Sequence, residues 1–460
     1  MLNEDFTNAK DVQRYTRFTD AMVDLVLSHE GTLKAEHGTG RVMAPFVRKQ
    51  YGDELYQVMS EIKSLFDPQN TLNPGVIISD DSELHVKNLK ITPTVESEVD
   101  RCVECGYCEP VCPSKNLTLT PRQRIVIRRE MESAKSEGNI TKYNALKKDY
   151  GYDSLDTCAV DGMCSTACPV LINTGDLVKR LREEEMPAVG RVGWTILATT
   201  WGLATSAISI GLKFAKFAPM PKGLRLPRGG SVREPIYTQN PDVIYFPSCT
   251  TSMFDSSVRE SFLSLCAKAG INVSTPDGIN GLCCGQPWKS KGATDGYNVM
   301  KDKTADWLRE ATQGGKIPVI SDASSCTEAL RKIDKTTDVV EFVAEKILPR
   351  INVKKISSIA VHPTCSSVHL GSTGALYTLA RAMSDEVFTP KSWNCCAFAG
   401  DRGIIKPELT ESATEVMSAE INEKTYSAYV SNNRTCEIGI SRGTGKPYRH
   451  IIEQLAEQVQ

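Results

Sequence analysis

The chain has 460 residues, room for roughly two to four domains with cores of their own. Charged residues make up 24% and the formal net charge is -2, so no basic footprint argues for nucleic acid as a partner. Sixteen cysteines, many in adjacent or closely spaced pairs, argue for bound metal in a reducing, intracellular compartment and against a secreted disulfide framework. Residues Met1 to Phe6 lack the basic and apolar regions of a signal peptide.

Taken in order, residues 1–79 carry an amphipathic run from Tyr15 to Val26 and a second helical pattern from Asp53 to Phe66. Asp67-Pro68 stops the second run, and Leu72-Asn-Pro-Gly75 makes a turn. Between the runs lies Lys34-Ala-Glu36-His37-Gly38-Thr-Gly40-Arg41. A Glu-His pair on a Gly-x-Gly loop brings a base and a carboxylate close to a ligand; a helix-capping loop with incidental polar residues is the plainer reading. Residues 80–98 are polar and weakly patterned and read as a linker.

Two cysteine-proline half-motifs follow. The first is Cys102-Val-Glu-Cys105-Gly-Tyr-Cys108-Glu-Pro-Val-Cys112-Pro113, and the second is Cys158-Ala-Val-Asp161-Gly-Met-Cys164-Ser-Thr-Ala-Cys168-Pro169. The C-x2-C-x2-C-x3-C-P run suits iron–sulfur clusters, because three close thiolates hold one cluster while the fourth reaches across to the other. Zinc would need four ligands in two pairs. Thr120-Pro121 opens a helical segment between the half-motifs, with proline in its first turn, and Lys142 to Lys148 continues it. This helical insert suits an α-helical ferredoxin over residues 99–190. Cys102, Cys105, Cys108 and Cys168 then hold one cluster, and Cys112, Cys158 and Cys164 the second, whose fourth position falls on Asp161. Three readings of Asp161 stay open: a four-iron cluster with the carboxylate bound, a three-iron cluster, or merely an Asp-Gly turn.

The longest uncharged run, Val192 to Leu212, could span a bilayer by length, yet it is rich in Thr, Ser and Gly. A buried or interdomain helix is the favoured reading, with surface attachment through Lys213, Lys216 and Lys222 as the alternative. Pro219 to Pro235 reads as a linker, so 191–236 is set down as apolar helix plus linker. The chain then repeats itself over 237–350 and 351–460. Strands ending at Cys249 and Cys365 match, as do Cys283-Cys284-Gly285 and Cys395-Cys396-Ala397, and the strands leading to Cys326 and Cys436. Helical stretches intervene, implying parallel α/β sheets with cysteines at strand C-termini. Four thiols per repeat suffice for an iron–sulfur cluster or zinc; bare structural or redox-active thiols remain the other option. Cys266 has no partner by repeat and reads as a core residue.

Glu36-His37-Gly-Thr-Gly40, Ala44-Pro-Phe46, Leu65-Phe-Asp-Pro68 and Leu72-Asn-Pro-Gly75 resemble the C-terminal end of FAD-linked oxidases of the D-lactate, glycolate and D-2-hydroxyglutarate dehydrogenase kind. The paired-cysteine repeats resemble the Cys-Cys-Gly modules of heterodisulfide reductases, though Ala323 and Asn433 stand where a further cysteine usually occurs. The resemblance implies the C-terminal half of a fused D-lactate dehydrogenase-type enzyme. Its fold class is multidomain α+β and α/β: an FAD-oxidase C-terminal fragment, an α-helical ferredoxin domain and two repeated cysteine-rich α/β modules. It further implies that His37 takes the substrate hydroxyl proton and that Glu36 helps bind substrate or a metal. Lys34 and Arg41 attract a substrate carboxylate or are solvated loop charges, and Gly38 and Gly40 shape the cofactor side. Expected cofactors are two iron–sulfur clusters, further clusters or zinc in the modules, and FAD from a separate half. Expected partners are an FAD-binding subunit, a small 2-hydroxyacid (D-lactate foremost) and a cytochrome or quinone acceptor, in the cytoplasm or on the inner face of its membrane. A stand-alone iron–sulfur adaptor and a thiol redox protein are the rival readings.

Overall fold

The computed structural model describes residues 6–34, 40–89, 91, 93–215 and 229–459. It divides into two units, Met1–Arg101 and Cys102–Gln460.

The first unit rests on two helices. Ala9–Ser28 is capped by Asn8, whose side chain accepts from the Lys10 N–H at 3.0 Å. Ala44–Phe66 is broken at Gly52, where φ is +79°. Val23, Leu33 and Phe46 bury one another in a small core. Asp67 ends the second helix by accepting from the N–H groups of Thr71 and Leu72 at 2.9 and 2.7 Å and from Lys63 Nζ at 2.5 Å. Glu36, His37 and Gly38 lie outside the described residues. Lys34 and Arg41 are exposed, and Arg41 Nη2 donates to the Lys87 carbonyl at 3.1 Å.

In the second unit the cysteine half-motifs are joined by helices Pro121–Ser136 and Ile140–Tyr150. Thr120 and Gln123 form a capping box at the start of the first helix, with Pro121 in its first turn. The uncharged run does not form one helix. Ala188–Thr199 and Trp201–Ala215 meet at 86°, and among the described residues no single helix is long and apolar enough to cross a membrane. The break has a local cause: Thr199 and Thr200 both turn their hydroxyls back to the Ile196 carbonyl, at 2.8 and 2.9 Å. Only one face of the pair is buried, on Ala198 and Trp201; Ile196, Leu203 and Phe214 face outward.

Two four-stranded parallel sheets follow, one per repeat. Strands β1 (Val243–Phe246), β2 (Val273–Ser274), β3 (Val319–Ser321) and β4 (Thr336–Asp338) run in the order β2-β1-β3-β4. Strands β5 (Ile359–Val361), β6 (Val387–Phe388), β7 (Ala428–Ser431) and β8 (Arg449–His450) run β6-β5-β7-β8. Equivalent registers recur, with Ile244 opposite Val319 and Ala360 opposite Tyr429. The two modules share one apolar core, in which Tyr245, Phe262 and Val340 of the first pack with Ile359, Leu376 and Leu455 of the second. Cys266 belongs to that core, and burial pushes its thiol up to about 12.

The repeats diverge at one backbone-critical position. Gly285 and Ala397 both adopt left-handed conformations, with φ of +85° and +57°. A side chain in that region costs about 1–2 kcal/mol, whereas a buried methyl returns about 0.8 kcal/mol. Ala397 packs with Ala159 and Leu409. Ala397→Gly is therefore expected to move stability by less than about 1 kcal/mol. At Gly285 a Cβ would lie 2.8 Å from the Tyr297 ring, so Gly285→Ala should cost about 2–3 kcal/mol. Thermal unfolding of both variants measures the difference; equal losses would refute this account of the two turns.

Candidate metal and thiol centres

Local backbone chemistry delivers each cysteine. In the modules, Ser248 and Thr364 follow a strand and cap the next helix, their hydroxyls accepting from the N–H groups of Thr251 and Ser367 at 3.0 and 3.1 Å. Cys249 and Cys365 are thereby the first residues of their helices. In the first half-motif, Glu104 and Gly106 take left-handed conformations that curl the chain. Arg129 holds that curl by pairing with Glu104 and donating to the Cys102 carbonyl at 2.8 Å.

The four thiols assigned to the first cluster do come together. Cys102, Cys105, Cys108 and Cys168 line one cavity, closed by the apolar side chains of Val103 and Ile125. Cys105 is exposed, and burial pushes the Cys108 thiol up to about 11. Four thiols around one cavity fit a cluster that binds thiolates at its corners.

The second set is deeper. Cys112, Cys158 and Cys164 are all buried. Arg124 is also buried, with Nη1 3.7 Å from Cys112 Sγ and Nη2 donating to Ser114 Oγ at 2.8 Å. The Arg124 guanidinium interacts electrostatically with both Cys158 and Cys112. Cys164 Sγ lies 3.2 Å from Thr174 Oγ1, and burial pushes its thiol up to about 12.

Asp161 stands among these groups. Its charge is felt at Cys112 and Cys164, and burial raises its own carboxyl above the usual range. Oδ2 is sealed from solvent and has no hydrogen-bond partner, while the carboxylate is hydrogen-bonded with Cys395 of the second module. The Asp161 carbonyl lies 2.9 Å from His369 Nε2, and a Cβ on Gly162 (φ +75°) would sit 3.1 Å from that same nitrogen. Glycine at 162 thus lets the imidazole close over the turn. An orphaned carboxylate oxygen near the buried thiols of Cys112 and Cys164 fits a further donor to the second cluster.

In each module the thiols touch in series. Cys249 Sγ is 3.7 Å from Cys283 Sγ, and the free thiols of Cys283 and Cys284, and of Cys284 and Cys326, are within hydrogen-bonding reach. In the second module Cys365, Cys395, Cys396 and Cys436 form the same succession. Among the described residues no three His, Cys, Asp or Glu side chains are gathered for a single ion. Hydrogen bonds from Cys395 and then Cys436 pull Cys396 well below the ordinary thiol range, with His362 adding to the effect. In the first module all four thiols are pushed up, and Phe246 occupies the position of His362. Sequence reasoning overlooked His362, His369 and Arg124. The repeat alignment carries a signal for His362 alone, as the substitution of Phe246.

Comparison with known proteins agrees with this assembly. Residues 2–77 match the C-terminal domain of FAD linked oxidases, 98–172 the 4Fe-4S dicluster domain, and 243–331 and 359–441 the cysteine-rich CCG domain. The chain therefore joins an FAD-oxidase C-terminal domain to a dicluster ferredoxin segment and two CCG modules. It is similar to the glycolate oxidase iron-sulfur subunit of Escherichia coli, 21% identical over 79% of this chain and 95% of that protein. Lactate utilization protein A of Bacillus licheniformis is 24% identical over 47% of this chain and 97% of that protein. The D-2-hydroxyglutarate dehydrogenase of Haemophilus influenzae is 26% identical over 37% of this chain, which spans only 21% of that relative.

Two outcomes follow for the second centre. Asp161→Cys is expected to alter the EPR signal of that cluster alone, and an unchanged spectrum would rule out Asp161 as a ligand. Arg124→Met removes a cation 3.7 Å from a thiol, worth up to about 4 kcal/mol at an effective dielectric of 20. The second cluster's potential should fall on the order of 100 mV in an EPR redox titration; a potential that stays put with the cluster retained would exclude Arg124 from tuning it.

Proposed function

We propose that this chain is the electron-transfer part of a flavin-dependent 2-hydroxyacid dehydrogenase, working with an FAD-binding partner and passing electrons to a cytochrome or quinone. The observation that carries the proposal is the burial of Asp161 between thiols of the ferredoxin segment and Cys395, which brings the dicluster site up to a thiol module. When bound, FAD would supply a two-electron sink for the substrate C2 hydride, and the clusters would supply one-electron carriers. The chain's own residues do the rest. His37 accepts the hydroxyl proton, with Glu36, Lys34 and Arg41 on the substrate side. Cys102, Cys105, Cys108 and Cys168 hold the first four-iron cluster; Cys112, Cys158, Cys164 and Asp161 hold the second. Arg124 adds positive charge beside the second thiol set, favouring its reduced state. D-lactate is the first-choice substrate, with glycolate and D-2-hydroxyglutarate as the competitors to assay.

The test is reconstitution with an FAD-binding partner. One of the three hydroxyacids should bleach the visible absorbance of the clusters, and His37→Ala should lower that rate at least ~100-fold. Retained turnover in His37→Ala would leave the chain an adaptor without catalytic residues. No bleaching by any hydroxyacid would defeat the reading altogether. The 3.7 Å contact between Cys249 and Cys283 favours a second reading, a thiol redox protein. Thiol oxidation in the absence of any hydroxyacid would support it.

A further inference from the structure

A cavity of about 280 Å³ opens between the ferredoxin segment and the second module. Its position is set by the thiols. Val111 and Pro113 flank Cys112, Met163 precedes Cys164, and Asn394 precedes Cys395, and all four residues line the cavity. A molecule seated there lies beside both the second cluster site and the thiols of the second module.

The lining suits one class of occupant. Val111, Met163, Val416 and Met417 offer apolar and thioether surface, and Trp393 offers an aromatic one. The indole is fixed in place, because Nε1 donates to the Pro363 carbonyl at 2.9 Å. Lys115 and Lys391 bring two cations and Asn394 an amide. Lys115 Nζ donates to the Pro110 carbonyl at 2.5 Å, and the backbone N–H of Lys391 donates to the Glu420 carboxylate at 2.7 Å, which leaves Lys115 the cation free of a carboxylate partner among the described residues. The volume lies at the small end for ligand sites, enough for one or two rings and too little for a protein segment. Apolar walls for a ring, with cations where negative charge develops on reduction, describe a planar carbonyl acceptor better than a sugar, nucleotide or peptide.

We propose that this cavity docks a small quinone-type electron acceptor, reduced there by the centres around Cys112, Cys164 and Cys395. The proposal rests on the electron-conduit reading given above and names its exit. Iron–sulfur centres held by these thiols would, when bound and reduced, supply two electrons one at a time. Two protons arrive from water at the open mouth. Both quinone C=O groups become C–OH, and the centres return to their oxidised form.

The test uses the full chain with its clusters, reduced by dithionite, so that neither flavin nor hydroxyacid is needed. The probe is a water-soluble, tail-less benzoquinone. Val416 is exposed on the helix Pro407–Asn422, so Val416→Trp can fill the cavity without entering a core. Calorimetry on the oxidised protein should show quinone binding weakened about tenfold or more by Val416→Trp, and quinone should reoxidise the reduced variant correspondingly slowly. Iron content, unfolding temperature and reoxidation by ferricyanide, which can reach the exposed Cys105 end, should not change. Lys391→Gln should weaken binding less. Equal quinone binding and reoxidation in parent and Val416→Trp would overturn the site, as would no binding to the parent. Loss of hydroxyacid-driven reduction with quinone reoxidation intact would instead sink the dehydrogenase reading and leave the exit site standing.

Discussion

The second unit turns on one buried carboxylate. Asp161 has an oxygen with no hydrogen-bond partner, thiols of the ferredoxin segment on one side and Cys395 on the other. A group in that position is tolerated only if its neighbours compensate it, and much of the surrounding structure does so. Arg124 brings a buried cation, His369 caps the Asp161 carbonyl, and Gly162 leaves room for the imidazole. His369 lies on the same short helix as Cys365, so the module that supplies the thiols also clamps the loop facing them. Arg182 completes the attachment, donating to the Cys158 carbonyl at 2.9 Å and to the Ser290 carbonyl of the first module at 2.5 Å. The ferredoxin segment is thus tied to both modules through the backbone that carries its second thiol set.

The two modules are copies in topology and differ in charge. Equivalent strands, caps and cysteine positions recur, but Phe246 becomes His362 and Asp322 becomes Asn432. In the first module Asp322 accepts from Tyr245 OH at 2.6 Å and the Ser248 N–H at 2.7 Å. In the second, Asn432 instead accepts from Ser367 Oγ at 3.0 Å, and Arg434 brings a buried cation paired with Glu437 and Glu453. Burial pushes the Glu437 carboxyl up to about 8 even so. In the first module burial and neighbouring thiols push all four thiols up, whereas in the second Cys396 is pulled down by its hydrogen bonds with Cys395 and Cys436. Duplication here has preserved the scaffold while changing the charged and polar groups around its two thiol sets. The second module is also the one whose Cys395 faces Asp161.

Much of this was legible without coordinates, because short-range rules governed it. The Thr120-Pro121 helix start, the Asp67-Pro68 stop, the strands that run into cysteines and the close spacing of Cys102, Cys105 and Cys108 all depend on spacing and capping within a few residues. The run from Val192 to Leu212 misled for a local reason: hydropathy does not register two threonines turning their hydroxyls onto one carbonyl. His362, His369 and Arg124 were invisible for a different one. Each acts on a thiol or loop distant in sequence, across as many as 208 residues for His369 and Asp161.

By itself the sequence determined the parts: thiols at cluster spacing, a duplicated parallel α/β scaffold, and a helix pair with a glycine loop before them, which resemblance alone marks as oxidase-like. These follow from periodicity, turn residues and metal-ligand spacing, which are properties of contiguous chain. Only the tertiary structure decided which module faces the ferredoxin segment, that Asp161 stands between two thiol sets, and that a cavity opens beside them. Those outcomes depend on how buried charges are matched and how side chains from remote segments fill shared space, and neither is written into any one stretch of residues.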